Sequence, residues 1–136
     1  TTCTFAIATA KAQLPILEAF FLGILCNVLV CLAVWMSFGA RSVVGKVAVI
    51  VPPIAAFVAA GFEHSIANMY FLPMGLMLKS LAPDAFWQAA GTTAAAYQGL
   101  TELGGLRNIL AVTAGNIVGG GVFVGAIYWF VYLRKR

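Results

Sequence analysis

Apolar residues in this chain come in long, nearly uncharged runs, not in the alternating pattern of strands or the stripes of surface helices. Residues 14–38 form the first run, with Glu18 as its one charged residue. At ~1.5 Å per residue such a run exceeds the ~30 Å hydrocarbon core of a bilayer, so it predicts a first spanning helix. Residues 107–133 form the last run and predict a second full span. Residues 47–79 between them are different. As one helix they would extend to about 50 Å, well past the bilayer core. Pro52, Pro53, Gly61 and Pro73 all oppose a straight helix there, and each half alone is too short to span. The pattern predicts a discontinuous middle helix broken at residues 61–65. Freed backbone at membrane depth survives only inside protein or beside a water-filled cavity, and breaks of this type build midplane binding sites in transporters.

The expected fold class is therefore an all-α membrane protein. It is one unit over residues 1–136, with spanning helices at 14–38 and 107–133 around a broken helix at 47–79. Residues 1–13 read as a connector or as the end of an earlier helix. Residues 39–46 read as a short loop and 80–106 as a longer one. In the longer loop, residues 83–87 suggest a short interfacial helix with Trp87 at the headgroups. A start at Thr1, without Met, reads as a fragment or a processed product.

Composition agrees with this reading. Hydrophobic residues make up 62% of the chain and charged residues 9%, with a mean hydropathy of +0.99; soluble chains average about 25% charge. The net charge of +4 matters less than its placement. Arg41 and Lys46 share the short loop, and Arg134, Lys135 and Arg136 end the chain. By the positive-inside rule both lie in the cytoplasm, with the C-terminus inside a multi-pass cell (inner) membrane protein. Trp35 then anchors the cytoplasmic end of the first helix. So few basic residues, flanking apolar segments, are a topology signal and carry no nucleic-acid signature. Cys3, Cys26 and Cys31 have neither disulfide nor metal spacing. No cofactor, metal or enzymatic constellation is expected: there is one histidine and no nucleophile set.

The candidate chemistry lies in Gly61-Phe62-Glu63-His64-Ser65-Ile66-Ala67-Asn68, a polar knot in an apolar segment. Ionisable groups at membrane depth are costly and mark substrate or proton paths. His64 is the leading candidate, with Asn68 one turn on. Glu63 has two readings: it orients or charges His64, or it pairs with a lysine elsewhere. Asn27 and Asn116, inside spanning helices, bond between helices or face a path. Phe57 and Val30 are candidate apolar gates, or ordinary packing. The spacings Gly115/Gly119 and Gly121/Gly125 put small residues four apart, a pattern for close helix approach.

Taken in order, several segments resemble the formate/nitrite transporter family, closest to its formate channel branch. They are Gly61 to Met69, Gly23-Ile24-Leu25-Cys26-Asn27, Cys31 to Met36, Pro73-Met74-Gly75 and Gly115 to Gly121. The resemblance runs from about Lys11 to the C-terminus. It implies an aquaporin-like fold of six helices in two inverted repeats, assembled as a homopentamer with a pore in each protomer. This chain would then be the second repeat, an aquaporin-like half with three transmembrane helices. The resemblance makes Lys11 the vestibule lysine, Glu63 its acidic neighbour and His64 the central pore histidine. It puts Asn68, Asn27 and Asn116 at polar positions of the substrate pathway, and Phe57 and Val30 near the constrictions. The implied substrate is formate or nitrite, passed through the lipid bilayer and proton-linked through His64. The rivals are a hydrosulfide-type channel of the same family, a truncated non-transporting scaffold, and a half-size channel pairing with an inverted copy.

Overall fold

The structure, a computed structural model, describes residues 2–134. Every regular element among them is helical. The chain opens on α1 (Thr2–Gln13), a helix where a connector was the alternative, and turns at Pro15 into α2 (Ile16–Gly39). The 24 residues of α2 are long and apolar enough to cross a membrane. A tight turn leads into α3 (Val43–Ala59), capped by the Ser42 hydroxyl accepting from the Gly45 N–H at 3.0 Å. The short loop is thus smaller than residues 39–46. A good N-cap draws the helix start forward, and Lys46 lies in the first turn.

α3 and α4 (Ser65–Leu81) replace the single middle helix. At 17 residues each, they reach about 26 Å, short of the bilayer core. Pro52 and Pro53 sit within α3 and Pro73 within α4 without ending either; the chain breaks at Gly61 instead. Gly61 takes a φ of +70°, the left-handed region that only glycine enters without strain. Its N–H bonds Val58 O at 3.1 Å, and the Phe62 N–H bonds Phe57 O at 3.0 Å. These two bonds are the Schellman stop, which satisfies the last carbonyls of α3.

Beyond α4, the short helix α5 (Asp84–Ala90) ends on Gly91 at φ +64°. Trp87 lies on this short helix. It is buried, its Nε1 donates to Ala82 O at 3.2 Å, and its ring lies 5.0 Å from that of Phe5. The aromatic belongs to a cluster of Phe5, Ala8, Ala12, Leu72, Trp87 and Leu100 that ties α1 and α4 to the loop. Lys79 Nζ closes this loop by donating to Tyr97 O at 2.9 Å and Leu100 O at 3.0 Å.

The last helix starts earlier than residue 107. α6 (Glu102–Ile117) is capped by the Thr101 hydroxyl, which accepts from the Gly104 N–H at 3.1 Å, and the Glu102 charge favours that end. The rod continues in π geometry over Val118–Val124, returns to α in α7 (Gly125–Tyr128), and ends in π geometry over Trp129–Leu133. Lys135 and Arg136, part of the basic end, lie outside the described residues.

α2 and α6 cross in backbone contact, and glycines make that possible. A Cβ on Gly115 would collide with Phe20 O, one on Gly119 with Ile24 O, and one on Gly23 would lie 2.9 Å from Val112 O. Gly121 does not share this role: a Cβ there would meet nothing within 4 Å. Gly125 likewise touches only its own helix, at Gly120 O. The expected second pair of close-approach glycines is therefore not used within this unit.

Candidate functional site

The Gly61 turn leaves Glu63 and His64 outside both helices, with His64 extended, before α4 begins at Ser65. Extended backbone points successive side chains to opposite sides, and the two residues part accordingly. Glu63 is buried and His64 is half-buried.

Glu63 turns into the protein. Its Oε1 accepts from Lys11 Nζ at 2.6 Å, bridging α1 to the break. Its Oε2 accepts from Asn68 Nδ2 at 2.5 Å and from Asn108 Nδ2 at 3.4 Å. Asn68 also donates to Asn108 Oδ1 at 2.8 Å. The carboxylate is thereby paired and hydrogen-bonded, the condition under which a charge can be held away from water. Of the two readings of Glu63, the geometry has the lysine pairing. Lys11 is the partner, its side chain only 17% exposed.

His64 is the N-cap of α4. Its Nδ1 accepts from the Ile66 N–H at 3.2 Å. A neutral ring that accepts at Nδ1 carries its proton on Nε2. Nε2 has no protein partner among the described residues, so it is the donor left to offer. The Phe57 ring stands beside it, 6.0 Å between centroids. Val30 lies half-buried on α2, on a different helix from Phe57.

The backbone around His64 is held from α6. Asn116 Oδ1 accepts from the Ser65 N–H at 3.0 Å, and its Nδ2 donates to Glu63 O at 3.1 Å and to Gly23 O at 2.8 Å. The Asn116 carbonyl accepts in turn from Asn27 Nδ2 at 2.6 Å. Asn27 and Asn116 thus bond between helices.

Of the residues expected along a pathway, His64, Lys11, Asn27, Phe57 and Val30 remain partly accessible, while Glu63, Asn68 and Asn116 are buried in hydrogen bonds. Asn108 was not anticipated. Its signal was present: Asn108, Val112 and Asn116 recur every four residues and share one face of α6.

Comparison with known proteins identifies the family. The family model described as "Formate/nitrite transporter" matches residues 1–130. The "Formate channel FocA" of Escherichia coli (strain K12) is 47% identical over 130 residues, covering 95% of this chain and 46% of the relative. The "Probable formate transporter" of Methanothermobacter thermautotrophicus is 40% identical over 118 residues, covering 87% of this chain and 36% of the relative. Among solved structures, a "Pentameric formate channel with formate bound" superposes with a TM-score of 0.89 at 50% identity, over 96% of this chain and 52% of that one. An "FNT family ion channel" gives a TM-score of 0.73 at 34% identity, over 94% of this chain and 45% of that one. The chain spans about half the length of the curated relatives it matches. It is an all-α membrane protein with a discontinuous middle helix, and it belongs to the formate/nitrite transporter family.

Proposed function

We propose that this chain supplies the histidine-bearing half of a transmembrane pore for small monovalent anions, formate or nitrite. The carrying observation is the break itself. It presents His64 half-exposed beside Phe57, with Nδ1 bonded to its own helix and Nε2 free to donate. A carboxylate or nitrite oxygen is an acceptor, and an Nε2–H of this kind is the donor such a permeant needs. The Phe57 ring beside His64 penalises a hydrated ion, and Val30 on α2 is our second candidate for an apolar constriction. Pairing or proton sharing at His64 lowers the cost of passing charge.

We extend the proposal to proton linkage at the same ring. A neutral ring cannot give up its Nε2 proton and remain neutral, so the donating species is an imidazolium. Forming it puts a proton on Nδ1, breaks the bond to the Ile66 N–H, and places a cation at the N-terminus of α4, where the helix dipole opposes it. The proton that arrives at Nδ1 comes from solvent, and transfer from Nε2 leaves the Nδ1–H tautomer; the ring regains the Nε2–H form that the cap requires by taking a second solvent proton at Nε2 and releasing the one on Nδ1. The long-range positive end of the path is Lys11, tethered by Glu63 rather than free to reach a permeant.

We further propose a homopentamer in the cell (inner) membrane with the C-terminus in the cytoplasm, supported by the solved pentameric relative and by Arg41 and Lys46 in the α2–α3 region. The test is formate and nitrite uptake by liposomes carrying the pore-competent assembly that contains this chain. Saturable uptake of both that weakens in H64A supports the reading. Uptake indifferent to His64, or selective for hydrosulfide over both anions, rejects it.

A further inference from the structure

The hydrogen bonds at the break divide the polar residues into two kinds. His64 has a ring nitrogen to offer. Asn116 does not: it is 7% exposed, and both of its amide hydrogens are engaged by protein carbonyls, Gly23 O and Glu63 O. Its Oδ1 is engaged by the Ser65 N–H. Those contacts have a particular placement. Glu63 C=O belongs to the peptide before His64, and the Ser65 N–H belongs to the peptide after it. One side-chain amide therefore grips the backbone on both sides of His64, as a neighbouring strand would. The third bond, to Gly23 O, anchors the same amide to α2.

We propose that Asn116 is the positioning residue of His64: its amide clasps the two peptides flanking His64 and so fixes the direction in which the ring meets the permeant. The proposal rests on the pore reading of His64.

The physical argument is one of supply and strain. At the break, the 63–65 backbone has left the α3 ladder and not yet joined that of α4. Without a partner its carbonyl and N–H would be buried and unpaired, which destabilises the break. Asn116 satisfies both and in doing so holds His64 at φ −115° and ψ 119°. From that backbone the ring reaches back to the Ile66 N–H. The clasp and the cap thus act in series, the first fixing where the side chain starts and the second fixing the ring's face and tautomer. Asn27 braces the clasp by donating to the Asn116 carbonyl just before the rod passes into π geometry at Val118. Gly23 is where the clasp is anchored, and a Cβ there would lie 3.3 Å from Asn116 Nδ2.

Aspartate is the sharpest substitution. It keeps the shape and can still accept from the Ser65 N–H, but it cannot donate to Glu63 O or Gly23 O. Asn116→Asp therefore opens one side of the clasp without a cavity. Asn116→Ser, which is too short to reach both peptides and carries no charge, makes the same cut by another route.

The experiment is a double-mutant cycle in liposomes on the pore-competent assembly, with N116D and H64A singly and together. If Asn116 acts through His64, each single change lowers formate flux about tenfold and the pair lowers it about tenfold, not about a hundredfold. A ¹⁵N spectrum of the His64 ring, assigned by its loss in H64A, gives a readout independent of transport. The parent protein shows one tautomer, with the proton on Nε2, whereas N116D and N116S populate both. If H64A leaves flux unchanged, the pore reading fails while the tautomer result still decides the clasp. Additive flux losses, or an unaltered single tautomer in N116D and N116S, overturn the proposal. Failure of both Asn116 variants to assemble also overturns it, by making Asn116 a folding residue.

Discussion

Charge at the residue scale is handled by Lys11, Glu63, Asn68 and Asn108, and the candidate chemistry is left to His64. The Lys11–Glu63 pair is largely shielded, so removing one partner strands the other. Glu63→Gln is expected to destabilise the fold by about 2–4 kcal/mol, somewhat below the range for a fully buried pair because Lys11 keeps some solvent contact. Lys11→Met combined with Glu63→Gln should cost less than the sum of the two single changes, since neither charge is then left alone. Thermal unfolding in mild detergent measures all three; strict additivity would show that the pair is not coupled. Sequence made His64 and Glu63 conspicuous because they are ionisable in an apolar run. The residues by themselves left the direction of Glu63 open, and only the family resemblance set it beside Lys11, because that contact depends on α1 folding back onto the break, 52 residues apart in the chain. Asn108 was passed over because a neutral amide does not disturb hydropathy.

At the scale of elements, glycine sets both the break and the crossing. Gly61 sits at φ +70° with open space around its missing Cβ, so Gly61→Ala adds backbone strain and no clash. The expected loss is about 1–2 kcal/mol. Gly119→Ala is a different case, because its new Cβ would run into Ile24 O and push α2 from α6. A loss well above that of Gly121→Ala, which meets open space, is expected in the same unfolding assay. Equal effects at 119 and 121 would contradict the backbone-contact crossing. Spacing alone could not tell Gly115 and Gly119 from Gly121 and Gly125, since both pairs are four apart; only the facing helix distinguishes them. Helix starts at Ser42 and Thr101 moved earlier than the apolar runs suggested, because caps are polar and lie outside a hydropathy window. The packing of Trp87 was hidden for a related reason: an amphipathic ring suits a headgroup layer and an aromatic cluster equally well until Phe5 is seen beside it.

On the scale of the whole molecule, α3 has no buried residue, and Val43, Val44, Val47, Val51 and Val58 are exposed along it. Phe57 lies on the same helix, and both it and the neighbouring His64 are only half-buried. A pore needs a second wall there, so this unit reconstituted by itself is expected to show no formate flux above empty liposomes. Flux from the unit alone would favour a half-size channel that pairs with an inverted copy. The overall class was readable from hydropathy because a bilayer imposes lengths that soluble folds do not. A second wall was expected only through the family resemblance, because an exposed apolar face looks the same whether lipid or protein covers it.

His64 is proposed to face the permeant and to carry the proton linkage. The most direct measurement is formate uptake against pH in liposomes for the pore-competent assembly and for its His64→Asn variant. Asparagine keeps a hydrogen-bond donor but does not titrate between about pH 5 and 8. Uptake that persists in His64→Asn with its pH dependence lost is the predicted result. A pH–uptake profile unchanged from that of the parent protein would contradict the claim.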